Sequence, residues 1–368
     1  MTLLRAIGLM SGTSMDGVDV AFIETDGESQ IRLGNVGFFP YVEEERALLR
    51  RALVEAATIE NRRLRPPAVA EAEEMVTRRH AEAVKRFMDK NRFAAADVDV
   101  LGFHGQTVMH KPNKRLTVQI GDGEALAAAT GLVTVHDFRA NDVARGGQGA
   151  PLVPAFHSAL CAAAGFARPA LVVNIGGVSN VTFCAPGAPP IACDAGPGNA
   201  LIDDLMLARA GVAIDRDGRA ALSGTVDQAA LEALLADPFF AAPPPKSLDR
   251  ASMSGKPVED LPTDDAAATL SAFTAEAIAR ALKLMPAEAA IAVVCGGGAR
   301  NAAIMGELER RLPCRVAPAS DFGWSIDAME AQAFAYLAVR RLKDLPISFP
   351  TTTGVEEPLT GGVIARPS

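Results

Sequence analysis

The sequence predicts an α/β protein with two similar domains that face each other across a central cleft. Three observations support this fold class. The chain has 368 residues, which is more than one hydrophobic core usually serves. Strand-forming runs open near residue 4 and again near residue 169, and helices and strands alternate after each run. Both runs begin with a hairpin whose tip contains glycine and hydroxyl or amide residues, which indicates a duplicated βββαβα unit.

The first domain is expected to span residues 1–138. Its strands are expected at 4–10, 17–24, 31–39, 98–105, 116–121 and 132–138. Its longer helices are expected at 43–57 and 68–90, where apolar residues recur at helical spacing. Asp122 is the expected cap of a further helix. His80 lies among charged residues of the second long helix and is expected to face solvent.

The second domain is expected to span residues 139–368, with its last residues able to pack back on the first domain. Its opening strands are expected within 169–187 and at 190–196. A buried strand that runs into three glycines is expected within 289–301, and a long amphipathic helix at 325–345. The proline-rich stretch 239–257 is interpreted as an exposed loop, because helices of the same domain flank it.

Composition and charge narrow the class of protein. Hydrophobic residues make up 49% of the chain and charged residues 22%, which is typical of a folded enzyme and not of a disordered chain. The net charge of −8 disfavours nucleic acid or an anionic membrane as a general partner, so small molecules are expected. The five cysteines form no CxxC pair, and neither a signal peptide nor an apolar run of about 18 residues is recognised. A cytoplasmic enzyme is therefore expected.

Three glycine-rich segments are candidates for binding phosphate or nucleotide: "SGTSMDG" (11–17), "NIGGVSN" (174–180) and "CGGGARN" (295–301). Small residues let backbone N–H groups approach an anion closely. No lysine follows the first segment as a Walker loop requires, and the third has Asn301 where a dinucleotide-binding motif has its last glycine. For any one of these loops, the alternative is a tight turn without a ligand. Together they predict ATP held between two hairpins, the second at Gly176 and Gly177, with adenosine against Gly296, Gly297 and Gly298.

The segment "CDAGPGNALIDDL" (193–205) is the strongest candidate for catalysis. Asp194 is expected to end an apolar strand, before Gly-Pro-Gly turns the chain into a helix that starts at about Asn199. A carboxylate at the end of such a sheet is well placed to act as a general base. The alternative, a turn former or helix cap, is the commoner role for an aspartate beside glycine. Asp194 is too far from the helix for simple capping, which favours the base.

Two polar segments could hold a substrate. His104 and Gln106 are expected just beyond a buried strand, although His104 taken alone would be interpreted as structural. Asp137, Arg139, Asp142 and Gln148 precede a further helix. The remaining histidines lack the spacing of metal ligands, and Glu330 would by default be a solvated charge on a helix.

Six segments, in order, give the chain a specific resemblance: "GLMSGTSMDGVDVA", "FHGQTVMH", "GGQGAPLVPAFH", "NIGGVSNVTF", "DAGPGNALID" and "CGGGARN". They resemble the signature segments of the anhydro-N-acetylmuramic acid kinase family. That family belongs to the actin, hexokinase and Hsp70-like ATPase superfamily, so the resemblance implies an actin/hexokinase-like (ribonuclease H-like) fold. It implies that ATP, water and 1,6-anhydro-N-acetylmuramic acid give N-acetylmuramic acid 6-phosphate and ADP, with Mg²⁺, in peptidoglycan recycling. A homodimer is expected.

The resemblance also implies roles for particular residues. Asp194 matches the base that activates water, and His104, Arg139 and Glu330 resemble substrate-contacting positions. The ATP-binding segment that it implies consists of Gly12, Thr13, Ser14, Met15, Asp16, Gly17, Val18 and Asp19. One departure is the stretch "PKSLDRAS" at 245–252, where relatives read close to "PKSTGRE".

Two other functions remain open at the level of sequence. One is a kinase of the same superfamily that acts on a different sugar. The other is a non-catalytic ATP-dependent module that opens and closes like actin or Hsp70 domains. Asp194 argues against the second, because a nucleotide switch has no need of a carboxylate directed at a sugar carbon.

Overall fold

The computed structural model describes residues 2–12, 14–248 and 253–367. The chain packs into two compact units, one formed by residues 1–163 and 328–368 and the other by residues 164–327. The predicted boundary after residue 138 therefore falls inside the first unit. Two helices that follow this position, at 140–144 and 154–163, pack with elements of that unit.

Both units are built on a β-sheet. The strands in chain order are β1 (Leu4–Ser11), β2 (Gly17–Thr25), β3 (Ile31–Pro40), β4 (Val100–Lys111), β5 (Leu116–Ile120), β6 (Thr134–His136), β7 (Ala170–Ile175), β8 (Val178–Cys184), β9 (Ile191–Pro197), β10 (Ile291–Cys295), β11 (Arg315–Pro318) and β12 (Val363–Ala365). The expected strands are present, although β4 runs further and β6 is shorter than predicted.

Helices separate the later strands. They are α1 (Glu43–Ala56), α2 (Pro67–Asn91), α3 (Gly123–Thr130), α4 (Ala140–Ala144), α5 (Pro154–Ala163), α6 (Ala200–Ala210), α7 (Arg219–Ser223), α8 (Gln228–Leu234), α9 (Thr263–Lys283), α10 (Ala302–Arg311), α11 (Met329–Leu342) and α12 (Pro350–Thr353). Asp122 caps α3 as predicted, by accepting the N–H groups of Glu124 and Ala125. Among the described residues, no helix is both long and apolar enough to span a membrane.

The two sheets share one topology. The first has the order β12-β6-β4-β1-β2-β3, with β5 paired to β4, and the second has the order β11-β10-β7-β8-β9. In each, three strands form an antiparallel meander and two later strands add in parallel beside the first. This shared order confirms the predicted duplication and the α/β fold class. The interior strands β1 and β10 are buried on both faces over most of their length, so both read as nearly continuous apolar runs.

Helix α11 brings the end of the chain onto the first sheet. It packs directly on β1 and β4 at two glycines that are register partners, Gly8 and Gly102. A Cβ atom on Gly8 would lie 1.8 Å from the Ala331 carbonyl oxygen, and one on Gly102 would lie 2.0 Å from that of Phe334. Only glycine fits at such a backbone contact. The pair of glycines therefore fixes the position of α11 and of Glu330 in its first turn.

One prediction about α2 is wrong. His80 is completely buried rather than solvent-facing. Its Nδ1 lies 2.7 Å from the Val76 carbonyl oxygen, and its ring centroid lies 4.9 Å from that of Phe103. Burial lowers the pKa of His80 to about 4, so the ring is neutral. His80 shares the buried helix face of Val76 and Val84, a spacing that outweighs its charged sequence neighbours.

Candidate active site

A pocket of about 490 Å³ in the first unit brings together several of the polar residues that were predicted from sequence to bind a ligand. It is open to solvent at the carboxyl end of β1. Its lining residues are Met10, Ser11, Gly12, Ser14, His104, Gln106, Thr107, His110, Arg139, Ala150 and Glu330. The structure thus brings together the start of the first glycine-rich segment and the three candidate substrate-contacting residues, although they are far apart in sequence.

His104 is held as a neutral side chain at the base of this pocket. Its Nε2 lies 3.0 Å from the Arg139 guanidinium and its Nδ1 lies 2.8 Å from the Gly105 carbonyl oxygen. Because a guanidinium only donates, Nε2 must accept and Nδ1 must carry the hydrogen. Burial, with the charge of Arg139, lowers the pKa of His104 well below its usual value. With its lone pair engaged by Arg139, His104 is suited to positioning rather than to proton abstraction.

Arg139 is fixed by a loop that a buried carboxylate holds. Its guanidinium donates to the Gly149 carbonyl oxygen at 2.8 Å and lies 5.9 Å from the Phe334 ring centroid. The Gly149 N–H donates to Asp142 Oδ1 at 2.5 Å, and the Thr353 hydroxyl donates to Asp142 Oδ2 at 2.6 Å. Asp142 is buried, so this carboxylate anchors the loop that orients Arg139.

Glu330 projects from the first turn of α11 into the pocket. Glu330 is exposed to the solvent in the pocket. Partial desolvation by the surrounding protein raises its pKa, and the positive charge of Arg139 opposes that rise. The amino end of a helix also favours a negative charge. Glu330 is therefore a pocket residue beside a cation and not an isolated charge on an outer helix face.

A hydrogen-bonded network fixes the backbone where β1 enters the glycine-rich loop. The Ser11 hydroxyl donates to Gln106 Oε1 at 2.6 Å, so the Tyr41 hydroxyl, 3.1 Å away, must donate to Ser11. Gln106 Nε2 donates to the Gly12 carbonyl oxygen at 3.1 Å. Burial raises the pKa of Tyr41 to about 12, which keeps it a donor. Ser11 belongs to the first glycine-rich segment, whereas Tyr41 was not identified from sequence.

The first glycine-rich loop is short. Met15 has a positive φ of 51°, and its N–H donates to the Gly12 carbonyl oxygen at 3.1 Å. The Ser14 hydroxyl donates to Asp16 Oδ1 at 2.6 Å. Thr13, a predicted ATP-binding residue, lies outside the described residues. Gly12, whose backbone is open, and Ser14 are the described residues of this loop that border the pocket.

The remaining residues of the predicted ATP-binding segment lie in a strand. Gly17, Val18 and Asp19 belong to β2, where they pair with β3. A Cβ atom on Gly17 would lie 2.7 Å from the Phe38 ring, so this glycine is required for packing. The position of His104 and Gln106 also differs from prediction, because both lie within β4. The parallel pairing of β4 with β1 shifts register beside Gly105, whose φ is +72°. β4 then continues to Lys111.

In the second unit, the hairpin tip at Gly176 and Gly177 contacts the start of α6. The Asn199 N–H donates to the Gly176 carbonyl oxygen at 2.7 Å, and the Gly198 N–H donates to that of Gly177 at 2.9 Å. A Cβ atom on Gly198 would lie 2.2 Å from the Gly176 oxygen, so glycine is required there. The hairpin tip and the amino end of α6 therefore form one compact backbone cluster, and α6 begins where the sequence predicted.

The triple glycine packs tightly on β7. A Cβ atom on Gly296, whose φ is +77°, would lie 2.5 Å from Asn174 Oδ1, and one on Gly298 would lie 2.3 Å from the Ile175 side chain. Gly297 instead borders a pocket of about 410 Å³. The other residues that line it are Asn199, Ile202, Asp203, Ile214, Asp215, Arg216, Asp217, Arg300 and Asn301.

Asp194 lies in the middle of β9 and not at its end, so that prediction is wrong. Pairing with β8 continues to Pro197, and the ladder passes from Asp194 to Gly196, which makes Ala195 a bulge. Such bulges redirect neighbouring side chains and occur often beside active sites. The Leu248 N–H donates to Asp194 Oδ2 at 2.7 Å. Burial raises the pKa of Asp194 to about 6, against the lowering effect of this hydrogen bond and of Lys246.

The family model for anhydro-N-acetylmuramic acid kinase matches residues 4–367. The chain belongs to this family. Its relatives include the anhydro-N-acetylmuramic acid kinases of Nitrobacter winogradskyi and of Rhodopseudomonas palustris strain HaA2. Each is 54% identical over 366 residues, which cover 99% of this chain and 100% of the relative. The resemblance predicted from six short segments is confirmed, and it extends over nearly the whole chain.

A comparison with solved structures finds distant likenesses. The (R)-2-hydroxyglutaryl-CoA dehydratase component A of Acidaminococcus fermentans is 13% identical, with a TM-score of 0.48, over 92% of this chain and 99% of that one.

The family assignment makes the chain a kinase and disfavours a non-catalytic module. In this member of the anhydro-N-acetylmuramic acid kinase family, the first pocket combines a cation, an acid and an open glycine backbone. The second unit supplies a half-buried carboxylate of raised pKa. Several residues support these groups through contacts with residues that are distant in the sequence, and local sequence patterns do not reveal such contacts. These supporting residues are Asp142, Tyr41, Thr353 and Leu248.

Proposed function

We propose that this chain converts 1,6-anhydro-N-acetylmuramic acid, ATP and water to N-acetylmuramic acid 6-phosphate and ADP, in the recycling of bacterial peptidoglycan. Cleavage of the anhydro ring and phosphorylation belong to one reaction. The names of relatives that match over the full chain support the substrate. The observation that carries the mechanism is Asp194, a half-buried carboxylate held by a backbone N–H, with a pKa of about 6. At neutral pH such a group is mostly ionised and can accept a proton.

In this proposal Asp194 acts as the general base. Its carboxylate takes a proton from a water molecule, and the resulting hydroxide adds to C1 of the sugar. The bond from C1 to the bridging oxygen breaks, and its electron pair stays on that oxygen, which becomes O6. O6 attacks the γ-phosphorus, and the bond from that phosphorus to ADP breaks. The Asp194 carboxylate thus accepts the proton, whereas O6 of the sugar accepts the phosphoryl group. No covalent intermediate forms on the protein.

We assign sugar binding to His104, Arg139 and Glu330. The lactyl group of muramic acid carries a carboxylate, for which a fixed guanidinium is a suitable partner. Arg139 is fixed by His104 and by the Gly149 carbonyl oxygen. Glu330 can accept hydrogen bonds from hydroxyl groups. A kinase of the same superfamily for an uncharged sugar would have no need of a cation in this position.

ATP binding is assigned to the glycine-rich segments predicted from sequence. Gly12 and Ser14 offer open backbone and a hydroxyl at the first pocket, and Gly176 and Gly177 form the corresponding hairpin tip of the second unit. Gly297 borders the second pocket, where Ile202 and Ile214 supply apolar surface for a base. Backbone N–H groups at such tips are suitable donors to phosphate oxygens.

Mg²⁺ is assigned to the nucleotide. Among the described residues, no group of three or more His, Cys, Asp or Glu side chains is placed to hold a metal ion. Magnesium in kinases is held largely by substrate phosphates and water, and this is the mode that we assign here. When bound it would neutralise charge on the phosphate oxygens.

Replacement of Gly12 by valine is expected to weaken ATP binding at least about tenfold with little change in stability. Among the described residues other than its chain neighbours, a Cβ atom there would meet only Ser14 Oγ, at 3.6 Å, so the fold can accept it. A branched side chain would nevertheless fill the space where phosphate meets backbone. Isothermal titration calorimetry with a non-hydrolysable ATP analogue measures the effect, and thermal unfolding is the control. Unchanged affinity in the folded variant would exclude Gly12 from the nucleotide site.

We further propose a cytoplasmic homodimer. None of the five cysteines, all of which lie in the described part of the chain, forms a disulfide, and such cysteines are common in proteins of a reducing compartment. Sedimentation equilibrium at several protein concentrations measures the oligomeric state directly.

The reaction itself is tested by incubating the purified protein with Mg-ATP and 1,6-anhydro-N-acetylmuramic acid and weighing the products. The proposal expects one sugar product that has gained both a phosphoryl group and a water molecule. Parallel reactions with glucose and with N-acetylglucosamine distinguish a kinase for other sugars. Phosphorylation of those sugars, with the anhydro sugar untouched, would contradict the proposal.

A further inference from the structure

A short segment on the proline-rich loop is seated on β9 at Asp194. The Asp194 N–H donates to the Lys246 carbonyl oxygen at 3.0 Å, and the Leu248 N–H donates to Asp194 Oδ2 at 2.7 Å. Residues 246 and 248 thus flank Asp194 as a neighbouring strand would. One contact joins backbone to backbone, whereas the other joins backbone to the carboxylate itself.

The segment is anchored at its amino end. The Lys246 ammonium donates to the Phe239 carbonyl oxygen at 2.8 Å and lies 4.4 Å from the centroid of the Phe239 ring. Phe239 and the buried Phe240 belong to a 3₁₀ turn, and the Phe240 ring packs on that of Phe273 in α9. The position of Leu248 relative to Asp194 is therefore set by packing in the second unit and not by a free loop.

We propose that the main-chain N–H of Leu248 positions the Asp194 carboxylate for proton transfer. This inference rests on the proposed role of Asp194 as the general base. The χ2 torsion, which rotates the carboxylate group of an aspartate, has only a weak intrinsic preference. The hydrogen bond from the Leu248 N–H to Oδ2 therefore fixes this rotation. Oδ1 then presents a defined lone pair to the water. Leu248 is thus a positioning residue that acts through its backbone.

The same hydrogen bond also affects when Asp194 is ionised. Burial raises the pKa of Asp194, and the N–H of Leu248 and the charge of Lys246 oppose that rise. Among the described residues, Cys193 is a further titratable neighbour, and burial raises its own pKa to about 11, so it stays an uncharged thiol. Removal of the N–H therefore destabilises the ionised carboxylate and raises its pKa. Because the base acts when ionised, the acidic limb of the pH–rate profile must move to higher pH.

The test compares Leu248→Pro with Leu248→Ala. Proline lacks the N–H, whereas alanine keeps it and removes the same side chain, so alanine is the reference. Relative to the alanine variant, kcat of the proline variant should fall at least about tenfold, the range for losing a hydrogen bond to a charged group. Its acidic limb should also move to higher pH. Equal kcat values, or a lower kcat with an unmoved acidic limb, would overturn the inference.

A second variant removes the same N–H group and keeps the test valid if the proline variant misfolds. Incorporation of the α-hydroxy analogue of leucine at position 248 replaces the amide by an ester, which removes the N–H without a ring. The same two outcomes apply to it. Asp194→Asn in the same assay separates the two claims: normal turnover by the asparagine variant would end the base assignment itself. Loss of turnover there, with wild-type behaviour of the ester, would overturn only the role of Leu248.

Discussion

Turnover is expected to fall at least about a hundredfold when Asp194 is replaced by asparagine, the lower range for removing a general base. Asparagine keeps the size of the side chain and can still accept from the Leu248 N–H, but it cannot take a proton from water at neutral pH. Binding of ATP and of the sugar should survive, so the loss should appear in kcat rather than in KM. Steady-state kinetics with a coupled ADP assay measures both.

The matched control is Asp260→Asn, at an exposed aspartate of the same unit, which should leave kcat unchanged. The wild-type pH profile adds a second check. Because the pKa of Asp194 is about 6, kcat/KM should be constant above that pH and fall tenfold per pH unit below it. A profile without an acidic limb near pH 6, or an asparagine variant with near-normal kcat, would remove Asp194 from its role.

Replacement of Arg139 by methionine is expected to raise KM for the anhydro sugar at least about tenfold, the range for losing charge-assisted hydrogen bonds. The variant loses the proposed partner of the lactyl carboxylate and also leaves His104 Nε2 and the Gly149 carbonyl oxygen without their donor. Arg139→Lys should recover little, because an ammonium cannot reproduce the planar fork. Calorimetric titration with the sugar measures the loss directly.

Arg86→Met, at an exposed arginine on α2, is the control for loss of charge and should bind the sugar normally. Arg139→Met should bind ATP as the wild type does, because Arg139 contacts only the sugar in the proposal. An unchanged ATP affinity therefore distinguishes sugar binding from nucleotide binding in this pocket. A methionine variant that binds the sugar as the wild type does would contradict the assignment of this pocket.

The fold could be predicted because its main features are local. Apolar strands, small-residue hairpins and capped helices repeat in two parts of the chain, and periodicity alone distinguishes strand from helix there. The predictions were wrong at positions where tertiary packing, and not the local sequence, determines the structure. His80 is buried because its helix face is apolar, although its sequence neighbours are charged. Asp194 stays inside a strand because β8 continues to pair beyond it.

The candidate site could be predicted only in part. Gly12, Arg139 and Asp194 belong to distinctive segments, so sequence identified them and the family resemblance supplied roles. Supporting contacts depend on residues brought together by the fold: Thr353 reaches Asp142 across 211 positions of the sequence. The Leu248 N–H was not predictable at all, because a backbone donor has no signature in side-chain sequence.

The coupled mechanism is tested most directly by running the reaction in ¹⁸O-labelled water and locating the label by mass spectrometry and ³¹P NMR. Water is the nucleophile at C1, and the oxygen that receives the phosphoryl group is the former bridging atom of the anhydro ring. The label should therefore appear on the C1 hydroxyl of N-acetylmuramic acid 6-phosphate and be absent from its phosphate. Label in the phosphoryl group would mean that water attacked phosphorus, which would contradict the coupling of ring opening to phosphoryl transfer.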